Sequence, residues 1–221
     1  MRRAALPLLA VLVALPFGLY ALGLAIDAAR GLRPPDSHLF APGAPASNAA
    51  LALHMAAGAV LTALVPLQLI PALRRRWPGL HRGMGRIFVG AALAAGLGGL
   101  VYIAGRGTIG GPVMDAGFAL YGVLLGVAAL MAIRAARARD LVRHRRWALR
   151  FFTLAMGSLL FRLHYAAWFL ATGGAGSTEA LTGPFDRVQV FAFYLPYLVL
   201  LELWLSREKR GAAPKSDASA G

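Results

Sequence analysis

The chain has no cysteine. That absence excludes disulfides, cysteine-ligated zinc, iron–sulfur clusters and covalent attachment of a c-type haem. Acid is nearly as scarce: nine Asp and Glu among 221 residues cannot build the carboxylate-rich cage that calcium or magnesium requires. Charge of either sign is thin, at 14% of the chain, where a soluble domain carries about a quarter. Hydrophobic residues make up 58%. A chain so poor in charge belongs in a membrane.

The net charge of +14 would suit a nucleic-acid partner. Its distribution argues otherwise, because the basic residues gather in short clusters between long apolar runs. Such clusters mark the cytoplasmic ends of membrane spans, so no nucleic acid is expected as a partner.

Six runs are long enough to cross a bilayer, which takes about 20 residues. They cover about 4–26, 48–73, 84–104, 113–134, 147–171 and 186–206. The first follows Arg2 and Arg3 and competes with a signal peptide, but it exceeds the roughly 7–15 residues of a signal core and reads as a retained helix. Pro7 and Pro16 are expected to kink it. The third is rich in Gly and Ala, which lets neighbouring helices approach closely. The glycines of GRGTIGGP lack the Lys-Ser/Thr ending of a phosphate loop and read as a turn. The expected fold is an all-α integral membrane protein with six transmembrane helices. Spans 2–5 form a four-helix core flanked by helices 1 and 6. Residues 207–221 form a polar tail, expected to be disordered.

Charge asymmetry orients the spans. With both termini in the cytoplasm, the cytoplasmic segments hold 18 of the 23 Lys and Arg, and the opposite loops hold only Arg30, Arg33, Arg106 and Arg187. The remaining one, Arg162, lies inside a span. The positive-inside rule therefore places both ends in the cytoplasm. The Ala-, Arg- and Gly-rich composition fits a high-GC bacterium, hence the inner membrane. The cytoplasmic basic clusters are of the kind that attract anionic lipids.

Arg162 is the most demanding residue. A charge near the middle of a span costs about 2.5–3.5 kcal/mol on insertion scales, and no acidic residue sits at its depth. A haem propionate, an anionic substrate, a quinone carbonyl or backbone carbonyls near Pro196 would each satisfy it; so would a purely structural role. His54 and His164 lie roughly 9 and 10 Å from the outer ends of the second and fifth spans, at about 1.5 Å per residue. Histidines at matched depth on different helices are what a b-type haem needs for two axial imidazoles. Gly58 and Gly157, on the same helical faces, would make room for the porphyrin. Hydrogen bonds to a neighbouring helix, a Tyr hydroxyl or a carbonyl are the plainer explanation of both histidines. His81 and His144 form a second pair at the cytoplasmic edge, read as interfacial residues. His38 reads as a solvated loop residue. Trp168, Phe169, Tyr194 and Tyr197 would line a flat pocket or simply pack. Glu202 is expected to pair with Arg146 or Arg150.

Several motifs recur in a familiar order. They are His54 with Gly58, Pro66 with Gln68, and Leu73-Arg74 before Pro78. Next come His81-Arg82 with Gly85-Arg86, His144-Arg145 with Trp147 and Arg150, and Leu159 with Arg162. Over about residues 48–170 this resembles the bacterial membrane proteins called domain of unknown function 2306. The resemblance implies the architecture and no activity. It adds Gln68, Arg82, Arg86 and Arg150 to the candidate residues, and it assigns no position to His164. A weaker likeness is to transmembrane b-type cytochromes, which hold haem among four core helices. Two functions follow as expectations: a haem b electron-transfer protein using His54, His164 and Arg162, or a non-enzymatic transporter or assembly protein whose arginine binds an anion or partner. An enzyme has least support, since no nucleophile–base pair or metal cluster stands at usable spacing.

Overall fold

The computed structural model describes residues 2–30, 39–41 and 43–211. His38 and residues 212–221 fall outside them. The described residues are helical throughout, apart from turns. The helices are α1 (Arg2–Ala29), α2 (Pro45–Leu64), α3 (Pro71–Arg76), α4 (Pro78–Arg106), α5 (Gly111–Arg137), α6 (Leu141–Ala155), α7 (Gly157–Thr172), α8 (Pro184–Ala192) and α9 (Leu195–Gly211). Five segments are long and apolar enough to cross a membrane, and α6 with α7 makes a sixth if that bent pair is one span. The protein is an all-α multi-pass membrane protein.

The spans break where the sequence removes hydrogen bonds. Pro66 has no N–H to offer Thr62, and the second span tightens into a 3-10 turn over Val65–Leu69 before α3. The chain bends by 42° between α6 and α7. There the Tyr121 hydroxyl donates to the Leu154 carbonyl at 2.6 Å. Gly157 makes this approach available, because a Cβ on it would lie 2.8 Å from the Tyr121 ring. The sixth span breaks between α8 and α9 at Phe193 and Tyr194, just before Pro196. The first span, by contrast, is one helix through Pro7 and Pro16.

Small residues on α4 set the packing. A Cβ on Gly98 would lie 2.5 Å from the Ala50 carbonyl of α2, and one on Gly96 would lie 3.1 Å from the Gly122 carbonyl of α5. Backbones can come this close only without side chains between them. The core draws Leu61, Phe88, Ala92, Ala129 and Leu154 from spans 2–5. Phe193 and Tyr194 join it from the break in the sixth span, and the Tyr194 hydroxyl donates to the Gly117 carbonyl at 3.1 Å. The first span lies against α2 and the 3-10 turn.

Candidate functional site

Three elements enclose a small cavity beside the middle of the bundle. α1 supplies Gly18, α2 supplies His54 and Thr62, and α7 supplies Ser158 and Arg162. Its volume is about 50 Å³. The α2 residues follow a simple stripe, since His54, Gly58 and Thr62 are four apart and share one helical face. Ser158 precedes Arg162 by one turn. Its carbonyl and hydroxyl oxygens accept two hydrogen bonds from Arg162 Nη1, at 2.8 and 2.6 Å. Arg162 is thus satisfied in part by its own helix, and not by carbonyls near Pro196. Its Nε and Nη2 have no acceptor among the described residues, and no carboxylate there pairs with it.

His54 is oriented from behind. Its Nδ1 lies 2.7 Å from the Ala95 carbonyl, and a carbonyl can only accept, so in the neutral ring Nδ1 carries the hydrogen. Nε2 keeps its lone pair and has no partner among the described residues. Gly99 gives the ring its place: a Cβ there would lie 3.0 Å from Nδ1. Thr62 is 5% exposed, and its hydroxyl too has no partner among the described residues. The polar lining therefore offers donors from Arg162, Ser158 and Thr62, one histidine acceptor, and no acid. With the Arg162 guanidinium and no acid, this chemistry suits an anion.

His164 is elsewhere. Its Nδ1 meets Gln189 Oε1 at 3.2 Å and its Nε2 meets the Tyr197 hydroxyl at 2.7 Å. The ring ties α7 to α8 and α9 with both nitrogens occupied. The structure brings His54 and Arg162 to one cavity and leaves His164 out of it. A b-type haem held between His54 and His164 does not fit this arrangement. One ligand nitrogen is lacking, and about 50 Å³ is far short of the roughly 300–1,000 Å³ of a cofactor pocket. Among the described residues no group of three or more His, Asp or Glu could hold a metal ion.

The aromatic candidates pack rather than line a pocket. Trp168 stacks on Phe185 with centroids 4.6 Å apart, Tyr194 is fully buried, and Phe169 is half exposed. Behind Trp168 lies a feature that the sequence did not reveal. Asp186 is fully buried. Its carboxylate accepts from Tyr165 at 2.8 Å, Ser177 at 2.7 Å, and the Thr178 and Gly183 N–H groups at 3.0 and 2.9 Å. Its position two residues after Pro184, where an acidic side chain can cap a helix start, was the available signal.

At the other end of the bundle, Gln68 donates to the His81 carbonyl at 3.3 Å, and His144 Nδ1 lies 2.9 Å from the Ala132 carbonyl. His81 Nδ1 is buried without a partner. Arg82 and Arg86 are exposed. Arg150 pairs with Glu202 through two bonds, at 2.5 and 2.7 Å.

Residues 51–205 match the family model described as a predicted membrane protein, domain of unknown function 2306. The chain belongs to this family. No curated protein and no solved structure matches it. The matched stretch of this family member includes α7, the Asp186 clamp and most of α9, and so extends beyond the motifs of spans 2–5.

Proposed function

We propose that this protein is a non-enzymatic inner-membrane protein that holds a small anionic group at Arg162, within a transport or assembly role. Its six spans cross with both termini in the cytoplasm, and the charge asymmetry supports that orientation. Anionic lipids border its cytoplasmic face. One observation carries the functional reading: Arg162, deep in a span, is half-satisfied by Ser158 alone and lines a cavity with donors and no acid. A buried cation without a counter-charge is costly, and a bound anion removes that cost. A volume of about 50 Å³ exceeds the roughly 10–15 Å³ of probe space that one water needs, so it admits a small ion such as bromide, nitrate or formate.

The test is thermal unfolding of the detergent-purified chain in nitrate or formate against equal gluconate, which is too large to enter. A ligand at a hundred times its Kd stabilises by about 2.7 kcal/mol, or roughly 5–10 °C for a chain of this size. Wild type is expected to show such a shift and Arg162→Gln none. Equal responses of both proteins would remove the proposal.

A second reading, a haem-binding electron-transfer protein, has one observation in its favour. The Ala95 carbonyl fixes His54 with Nε2 open, as second-shell carbonyls do for ligating imidazoles. A visible spectrum before and after reduction separates the two readings: a Soret band lost in His54→Ala supports haem, and its absence from haem-supplied protein excludes it.

A further inference from the structure

A second site lies on α6, remote from the cavity. Four arginines occupy this helix, and α9 neutralises two of them. Arg150 pairs with Glu202, and Arg145 pairs with Glu208 at 2.7 Å. Arg143 and Arg146 have no acidic side-chain partner among the described residues. With Arg150 and Trp147 they follow the i, i+3, i+4, i+7 spacing of a single helical face. That face borders an open pocket of about 400 Å³, at whose rim Asp140 caps the helix by accepting from the Arg143 N–H at 2.9 Å.

We propose that this pocket binds the phosphate of an anionic phospholipid headgroup in the cytoplasmic leaflet. Arg143 and Arg146 supply the uncompensated charge. Arg150, locked by Glu202 and lying 4.6 Å over the Trp147 ring, holds that ring at the pocket wall. Tryptophan favours the headgroup level of a membrane, and basic pockets at that level bind lipid headgroups. The pocket's size suits a headgroup rather than a bare ion, and its place at the start of the fifth span puts it at the membrane boundary under the six-span reading. A soluble phosphate presents the same charge, so the two sources need separate arms.

The experiment is native mass spectrometry of the full chain in mild detergent. It is titrated with dioleoyl phosphatidylglycerol, with dioleoyl phosphatidylcholine, and with inorganic phosphate. Phosphatidylglycerol is expected to bind at least about tenfold more tightly than phosphatidylcholine. The R143Q/R146Q variant is expected to lose about 10- to 30-fold of that affinity, from roughly a lipid charge contact per arginine. R75Q/R76Q, which removes equal charge from exposed positions on α3, is expected to change it less than about threefold. Equal loss in both variants would show a diffuse field and overturn the site. So would equal binding of the two lipids, or phosphate competing as well as lipid. Since α6 positions 143 and 146 are solvent-facing or half-buried, the single substitutions R143Q and R146Q serve if the pair fails to fold, each expected to show a partial loss. The titration reads neither topology nor the Arg162 cavity, so its failure leaves both to their own tests.

Discussion

At the scale of single residues, two kinds of polar group lie inside the spans and should respond oppositely to substitution. His164, Tyr121 and Asp186 have their hydrogen bonds filled by named partners; Arg162 and His54 do not. Tyr121→Phe removes the interhelical hydrogen bond to the Leu154 carbonyl at the helix break, and is expected to cost about 0.6–1.7 kcal/mol, the range for interhelical hydrogen bonds in membranes. Gly157→Ala forces a methyl against the Tyr121 ring and Phe193, with an expected loss of about 1–3 kcal/mol from overpacking. Both are read as a fall in unfolding temperature in detergent. His164→Ala is expected to lower that temperature while preserving the nitrate-induced rise, whereas Arg162→Gln is expected to abolish the rise. If His164→Ala erased the anion response, the division between structural and ligand-facing groups would be wrong.

At the scale of elements, the sequence exposed the spans far better than their interruptions. Apolar length alone marked the runs that become the five spanning-length segments and the bent α6–α7 pair, because a bilayer demands about 20 residues. Proline misled: Pro7 and Pro16 were expected to kink the first span, yet α1 runs through both, while the breaks at Pro66 and just before Pro196 were not anticipated, although each proline removes a hydrogen bond there. The break at Gly157 was not legible, because it depends on Tyr121 arriving from α5, a contact between residues far apart in sequence. The partners of His54 and His164 were hidden for the same reason. Equal depth could be counted along each helix, but facing direction is set by rotation and by neighbours such as Gln189 and Tyr197. Ser158 and Thr62 were readable in principle, each one or two turns from a residue already singled out. The loop between α7 and α8 is held by Asp186, whose carboxylate accepts from four donors. Asp186→Asn keeps the shape and weakens charge-assisted bonds worth about 1.5–3 kcal/mol each. Limited proteolysis should then cut within residues 173–183 faster than in wild type; unchanged cutting would mean that the clamp does not order the loop.

At the scale of the whole molecule, we propose a six-span protein with an anion site at Arg162 and a basic rim in the cytoplasm. The absence of cysteine makes the orientation directly measurable with single introduced thiols. In intact cells a membrane-impermeant maleimide is expected to label Glu179→Cys, on the loop opposite the basic clusters. It is expected to label Ser219→Cys only after the membrane is opened. Labelling of both in intact cells would break the six-span topology. The central claim concerns the ion itself, and bromide makes it visible. An anomalous-scattering map of crystals grown in bromide should show a peak within hydrogen-bonding reach of Arg162, between α1, α2 and α7, and none there in Arg162→Gln. A well-ordered cavity without that peak, or with a carboxylate from another chain seated on the arginine, would contradict the account.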